Sequence, residues 1–244
     1  MMSLKNHPFP VEAFFKSSTV LTFALPKEKL IHKIPECLEL DTLNDKWAFL
    51  AVAMVQTKHL RPKGFPKFIG SDFFLIGYRV FVRYKTSSGK RLRGLYILKS
   101  QTDSKLMELM GNTFTHYNYS TTDIKQINNE KNQTIKSNKS NFKIVIDKNR
   151  SNINLPIGSP FSDWKQARRF AGPLPFTFAS QEQKKEVLII EGVRKNWNPK
   201  PINIIQYSFD FMRDFKLNNL KLANAFIIEN IPYQWKKGKI DTWK

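Results

Sequence analysis

FFLIGYRVFVRY, residues 73–84, is the clearest β-strand in the sequence. In an extended chain the side chains of its even-numbered residues lie on one face and those of its odd-numbered residues on the other. Arg79 and Arg83 therefore point the same way, on a strand whose two faces are otherwise largely apolar. A Ser-Ser-Gly turn at 87–89 leads back into a second strand over residues 92–100. Together these segments predict a β-hairpin.

Strand patterns continue on both sides of this hairpin. The further predicted strands cover residues 18–25, 38–42, 46–56, 113–121, 141–147, 186–193, 204–211 and 220–229. Residues 43–45, Leu-Asn-Asp, predict a hairpin turn between the segments 38–42 and 46–56. The sum is an α+β, mainly β chain, which favours a barrel or a sandwich.

The predicted helices are few and short. One covers residues 27–33, and a second begins with Asp103 or Ser104 as its N-cap and ends before Gly111. The third covers residues 162–171, with Ser162 as N-cap and Gly172-Pro173 as its stop. Residues 122–141 are polar and are expected to form a loop or a pair of exposed edge strands. Since strand patterning resumes after them, we predict one domain over residues 1–244.

Charge and composition indicate a soluble protein with a strongly basic surface. The 244 residues include 40 Lys and Arg against 20 Asp and Glu, a net charge of +20. Such a field attracts polyanions, but the lysines are scattered rather than clustered, which favours diffuse surface charge over a nucleic-acid site. The longest apolar run, 47–55, is too short to span a membrane, and no secretory signal is visible. Cys37 is the only cysteine, so we predict a cytoplasmic protein without disulfides.

Several common chemistries are excluded by missing motifs. No Gly-x-Gly occurs, so a dinucleotide fingerprint and a P-loop are absent and no cofactor is predicted. No Cys-x-x-Cys or His-Glu-x-x-His occurs, and the histidines are too far apart for metal-ligand spacing. No Gly-x-Ser-x-Gly elbow of a serine hydrolase is present either. We predict no metal site.

The candidate functional residues lie on the central hairpin and just beyond it. Arg79 can clamp a carboxylate through two hydrogen bonds if its face of the strand looks into a barrel. The alternative is that Arg79 and Arg83 form the solvated face of a half-buried strand. Lys99 can form a Schiff base if it is desolvated, although most lysines are surface residues. His116 is a candidate general acid or base, with a structural histidine as the alternative.

Three groups of segments carry a resemblance to a known family. They are LTFALP at 21–26 with Pro35 and LELD at 38–41; DFFLIGYRVFVR at 72–83 with RGLYILKS at 93–100, Gly111-Asn112 and HYNY at 116–119; and SPFSDW at 159–164 with the helix after it. In their order, the chain resembles the bacterial domain-of-unknown-function family 2071 (DUF2071), which is placed near acetoacetate decarboxylase in fold.

This resemblance implies a cone-shaped antiparallel β barrel with a central cavity. Acetoacetate decarboxylases carry a Lys-Lys pair after a Gly-x-Pro turn, where one lysine forms the Schiff base. The equivalent run here, from Gly111 to Thr115, contains no lysine, and the acidic residue of the preceding strand is replaced by Leu75 or a neighbour. Decarboxylation by that mechanism is therefore not expected.

The leading hypothesis is a barrel whose cavity binds a small anionic organic molecule, lined or gated by Tyr78, Arg79, His116 and Tyr119. The first alternative is a basic interaction protein that binds nucleic acid or another polyanion. A second alternative is a Schiff-base lyase that uses Lys99. The sequence indicates no membrane partner and leaves the oligomeric state and the catalytic activity open.

Overall fold

The computed structural model describes residues 3–172, 174–217 and 220–243. Its strands are β1 Val11–Pro26, β2 Glu39–Leu40, β3 Trp47–Pro62, β4 Ser71–Lys85, β5 Arg91–Thr102, β6 Tyr119–Thr121, β7 Lys125–Asn128, β8 Asn132–Ser137, β9 Phe142–Asp147, β10 Phe176–Gln181, β11 Glu186–Arg194, β12 Lys200–Pro201, β13 Ile204–Phe209, β14 Lys221–Trp235 and β15 Lys239–Thr242. Its α-helices are α1 Lys105–Phe114, α2 Trp164–Ala171 and α3 Asp210–Asp214. Short 3₁₀ turns cover Leu4–Asn6, Lys27–Lys29, Ile31–Lys33, Lys67–Ile69 and Glu182–Lys184. The mainly β, α+β fold predicted from the sequence is confirmed.

The large sheet is a ladder of strands that returns to its starting strand. Its order is β14-β1-β3-β4-β5-β10-β11, and β11 pairs again with β14 through Gly192 opposite Trp235. Neighbours in this ring are antiparallel except β5 and β10, which run parallel with Gly94 opposite Phe176. The antiparallel barrel that the resemblance implies therefore differs from the structure at this one parallel junction. The connection from β5 to β10 contains α1, three strands of a second sheet and α2, which is long enough for a crossover between parallel strands.

The second sheet, in the order β13-β9-β8-β7, covers one face of the ring. Its aromatic residues and those of α3 pack on the even-numbered side chains of β4 and the odd-numbered side chains of β1. Tyr78 lies 4.1 Å from Phe211 between ring centroids, and Phe23 lies 6.2 Å from Phe209. The polar segment 122–141 contributes the β7–β8 hairpin at the edge of this sheet.

Residue size on β3 determines where the core is filled and where space remains. Leu50, Val52 and Met54 are fully buried in the large core cluster on one face of the strand. Ala51 and Ala53, on the opposite face, line a cavity. Because alanine fills so little volume, this face of the sheet leaves room that the other face does not.

Two local expectations from the sequence are corrected by the structure. Asn44 and Asp45 do form a turn, both with a φ of 53°, but β2 pairs with β4 rather than with β3. The helix α1 is capped by Ser104 as expected, yet it continues through Gly111 to Phe114 and leaves only β6 of the strand predicted over 113–121. In the described ranges, no helix has the length and hydropathy that crossing a bilayer requires.

Candidate functional site

A cavity of about 120 Å³ lies inside the ring of strands, and we call it the arginine cavity. Every strand of the ring contributes to its lining. Representative side chains are Val20 of β1, Ala53 of β3, Arg79 of β4, Ile97 of β5, Thr177 of β10, Arg194 of β11 and Tyr233 of β14. Ordinary period-two alternation on each strand thus brings distant parts of the sequence to one space.

Arg79 is the central charged group of the cavity. The side chain of Arg79 folds over Gly77. A Cβ atom added at Gly77 would lie 2.8 Å from the Nε atom of Arg79. Arg79 as a whole is half-buried and lines the cavity, while its Nε atom is fully buried. Burial lowers the pKa of Arg79 from its ordinary value, although a guanidinium group remains protonated in proteins. Among the described residues its Nε–H finds no acceptor.

Arg194 supplies a second guanidinium group from the end of β11. It stacks at 4.3 Å on the ring of Trp197 and lies 5.8 Å from the ring of Tyr233. Its Nη2 and the Nε1 of Trp197 are buried donors that have no acceptor within the described ranges. Burial lowers the pKa of Arg194, and its positive charge opposes that of Arg79. Two like charges are therefore held close to one cavity.

Tyrosine hydroxyls complete the polar lining. Burial raises the pKa of Tyr117 to about 12 and also raises the pKa of Tyr119, so both are neutral O–H groups at pH 7. The hydroxyl of Tyr117 is 2.7 Å from that of Thr177. Glycines make room for two of the rings, because a Cβ at Gly111 would overlap the ring of Tyr119 and a Cβ at Gly192 would overlap the hydroxyl of Tyr233.

Arg83, four residues beyond Arg79 on the same face of β4, has a different environment. It is bound to Asp41, with 2.6 Å from its Nε to Oδ1, and Arg93 holds the other carboxylate oxygen at 2.7 Å. Asp41 is fully buried. Both arginines thus have a carboxylate as hydrogen-bond partner. The guanidinium of Arg83 has a carboxylate beside it, whereas the guanidinium of Arg79 has none among the described residues.

The residues predicted from the sequence are divided between different places. Arg79 and Tyr119 line the arginine cavity. Tyr78 lies on the opposite face of β4, under Phe211, with its hydroxyl 3.3 Å from Oε1 of Gln101. The ammonium group of Lys99 is on that side too, 5.8 Å from the ring of Phe211. His116 is half-buried beside Asn6, with 3.4 Å from its Nε2 to Oδ1 of Asn6, and does not line the cavity.

Arg194 and Tyr233 are not among the residues predicted from the sequence. A signal for Arg194 was present, because Gly192-Val193-Arg194 repeats the Gly-x-Arg triplet of Gly77-Tyr78-Arg79 within a strand. In both triplets the glycine and the arginine share one face. The missing side chain makes room for the guanidinium of Arg79 at Gly77 and for the hydroxyl of Tyr233 at Gly192. Nothing local in the sequence marks Tyr233, whose role depends on the pairing of β14 with β11.

The described lining contains hydrogen-bond donors and hydroxyls, but no carboxylate, amine or imidazole group. Such a site binds anions and stabilises negative charge that develops on oxygen. It offers no base at neutral pH and no amine for a Schiff base. In the described part of the chain, no three His, Cys, Asp or Glu side chains are placed to hold a metal ion.

Solved structures with this fold are enzymes of the acetoacetate decarboxylase type and their relatives. Acetoacetate decarboxylase from Legionella pneumophila is 10% identical over 96% of this chain and 87% of its own, with a TM-score of 0.63. The enduracididine biosynthesis enzyme MppR, complexed with the condensation product of pyruvate and imidazole 4-carboxaldehyde, is 9% identical over 96% and 90%, with a TM-score of 0.64. An acetoacetate decarboxylase-like enzyme from Sphingomonas wittichii RW1 is 11% identical over 99% and 95%, with a TM-score of 0.56. At these identities the likeness shows the fold.

The sequence itself identifies the family. Residues 13–235 match DUF2071, described as an uncharacterized conserved protein, and the chain belongs to this family. The resemblance seen in the sequence is thereby confirmed. No curated protein matches the chain.

Proposed function

We propose that the protein binds a small organic anion in the arginine cavity, between Arg79 and Arg194. The observation that carries the proposal is the pair of half-buried arginines, each with one fully buried N–H that has no acceptor within the described ranges, in a lining that holds no described carboxylate. A buried charge without a partner is strongly unfavourable, and a bound carboxylate supplies both the opposite charge and the acceptors.

Three further points support an organic anion as the ligand. Tyr117, Tyr119 and Tyr233 bring hydroxyl groups to the cavity lining, and the remaining wall is largely apolar. One solved structure with this fold is an acetoacetate decarboxylase, and another, MppR, has been solved with pyruvate bound. We place the binding activity in the cytoplasm, because a single cysteine among 244 residues is typical of reducing compartments.

The same geometry does not support a lysine-based decarboxylase. Gly111 to Phe114, where the decarboxylases have their lysine pair, form the end of α1, and its Gly111 packs against Tyr119. Lys99 is separated from the cavity by its own strand, since it points toward Phe211. The proposal therefore uses Arg79 and Tyr119 of the predicted residues, adds Arg194, and assigns no role in the cavity to Tyr78, His116 or Lys99.

The experiment is isothermal titration of the protein with pyruvate, acetoacetate and other short carboxylates, alongside a short oligonucleotide. We expect one or more carboxylates to bind, and Arg79→Met or Arg194→Met to weaken binding about 30-fold or more, since removing one partner of a buried charged hydrogen bond has an effect of this order. Arg91→Gln, which removes the same charge at an exposed position of β5, serves as control and should bind like the wild type.

Salt dependence separates this proposal from binding of a polyanion by the basic surface. Anion binding inside the cavity should change little between about 50 and 200 mM salt, whereas binding through many surface lysines falls by orders of magnitude over that range. If only the oligonucleotide binds, and Arg79→Met binds it equally well, the cavity proposal is wrong and the basic surface is the functional site.

A further inference from the structure

A second cavity adjoins the arginine cavity, and we call it the apolar groove. It has a volume of about 170 Å³ and lies between α1 and the ends of β3 and β4. Its lining is mainly apolar and includes Phe9, Leu60, Phe73, Leu106, Met110 and Phe114. The groove is therefore the larger and less polar of these two spaces.

The two cavities share one wall. Leu75, Tyr117, Tyr119 and Trp235 line both of them, so only the thickness of these side chains lies between the guanidinium groups and the groove. Tyr117 is held by Thr177 at 2.7 Å. Leu75 is half-buried and carries no polar group, so its side chain can turn aside without breaking a hydrogen bond.

The groove supplies no unpaired charge from its described lining at neutral pH. Arg61 is bound to Glu12 at 2.6 Å. Burial lowers the pKa of His7 to about 4, so this histidine is neutral at pH 7. The combined space is consequently cationic at one end and apolar at the other.

The groove also reaches the protein surface. Leu106 and Met110, on consecutive turns of α1, line it and are 55% and 44% exposed. A ligand that enters along this rim meets apolar side chains first and the guanidinium groups last. This order matches a molecule with an apolar body and an anionic head.

We propose that the ligand is an amphipathic carboxylate, whose carboxylate group binds Arg79 and Arg194 and whose alkyl or aryl tail passes the shared wall and lies in the apolar groove. The inference rests on the proposed function, because it takes the same guanidinium groups as the anion site. It adds the class of ligand: a carboxylate with an apolar tail rather than a keto acid of three or four carbons.

The test is a titration series of straight-chain carboxylates from acetate to decanoate, with pyruvate as the short reference. Each methylene buried in the groove should tighten binding about fourfold, the equivalent of about 0.8 kcal/mol, until the groove is full. Leu106→Glu places a carboxylate at the rim, and we expect it to abolish the gain in affinity with chain length, measured relative to pyruvate in the same variant. Leu109→Glu is the matched control, because Leu109 lies on the same helix, is 65% exposed and does not line the groove.

The possible outcomes distinguish this inference from the function on which it rests. If pyruvate binds through Arg79 but the affinity is the same for every chain length, the tail assignment is wrong and the anion site stands. If neither pyruvate nor any longer carboxylate binds, both are wrong. Long-chain binding that survives in Arg79→Met also overturns the inference, since the chains then adhere to apolar surface without using the cavity. If Leu106→Glu and Leu109→Glu change the dependence of affinity on chain length equally, the inference is likewise overturned.

Discussion

Arg79 and Arg83 show how one residue type serves two purposes on one strand face. Arg83 shares the buried carboxylate of Asp41 with Arg93. Arg79, four residues earlier, has tyrosines and another arginine around it. A protein that needed Arg79 only for stability would place an acid near it, as it does for Arg83. The missing partner is the reason to assign Arg79 to a ligand.

This assignment predicts the stability of a variant. Arg79→Met replaces an unpaired buried cation with an apolar side chain of similar length, so we expect the ligand-free protein to become more stable by about 1–2 kcal/mol. For a chain of this size the melting temperature should rise by roughly 2–8 °C, measured by calorimetry without ligand. A marked fall in melting temperature would mean that Arg79 is a structural residue. Arg83→Met should be destabilising, because it leaves Asp41 with one partner fewer.

His7 predicts how stability depends on pH. Burial lowers its pKa from 6.5 to about 4 in the folded protein, so between these values the unfolded chain binds more protons. Stability is therefore complete above pH 6.5 and falls as the pH decreases toward 4. The loss at pH 5 relative to pH 7 should be about 2 kcal/mol, which lowers the melting temperature by roughly 4–8 °C.

The variant His7→Asn tests this assignment. Asn does not titrate and tolerates the positive φ of 51° at this position, so the melting temperature of His7→Asn should depend less on pH. His32→Asn, at an exposed position, should keep the wild-type dependence. An unchanged profile in His7→Asn would assign the acid sensitivity to another group.

At the scale of single residues, strand alternation was enough to predict that Arg79 lines a cavity. It was not enough to predict which other residues line the same cavity. The period of two puts Arg79 opposite Tyr78, so both could not line one cavity on the same strand. Arg194 lies one residue beyond the predicted strand 186–193, and only the pairing of β11 with β14 brings it to the cavity. The local sequence indicates on which face of its strand a side chain lies. The pairing of strands determines which other side chains that face contacts.

The parallel pair β5–β10 depends on a glycine. At Gly94, opposite Phe176, a Cβ would lie 2.3 Å from the carbonyl oxygen of Phe176 and 2.7 Å from the ring of Phe178. The two backbones can approach because this side chain is missing. The ring of strands therefore needs glycine here for packing, just as the cavity needs glycine at 77 for Arg79.

The two glycines should respond differently to the same substitution. Gly94→Ala forces backbone apart and is expected to destabilise the protein by about 2–3 kcal/mol, lowering the melting temperature by roughly 4–12 °C. Gly77→Ala meets only the end of the Arg79 side chain, so its melting temperature should stay near that of the wild type while the affinity for a carboxylate drops about tenfold. Thermal unfolding and titration of both variants check the contrast. Equal losses of stability would show that both positions are structural.

At the scale of elements, the sequence located most strands but could not supply their partners. The turn at Asn44-Asp45 is present, yet β2 finds its hydrogen bonds on β4, since Leu40 pairs with Val82. Gly111 predicted a helix end from its usual role, but here it lies inside α1 because the ring of Tyr119 occupies the space a side chain would fill. In both cases a tertiary contact overrides the local signal.

At the scale of the whole molecule, acidic residues form ion pairs with basic residues from other parts of the chain, and the net charge remains +20. Lys27 binds Asp45 at 2.6 Å, Lys58 binds Asp72 at 2.7 Å, and Lys236 binds Glu191 at 2.9 Å. Such exposed pairs contribute little to stability individually.

The fold class and the family could be predicted from sequence because they rest on the order of whole segments, which small shifts in strand boundaries do not alter.

The position of β1 has a consequence for how the chain is made. β1 lies between β3 and β14, so an early strand pairs with one that comes much later in the sequence, with Leu21 opposite Ala225. On the ribosome, β1 and β3 can pair early, but the other edge of β1 stays open until β14 has been synthesised. An exposed edge of this kind is a site for pairing with other chains. The nascent protein therefore passes through a stage in which this edge is open to pairing with other chains.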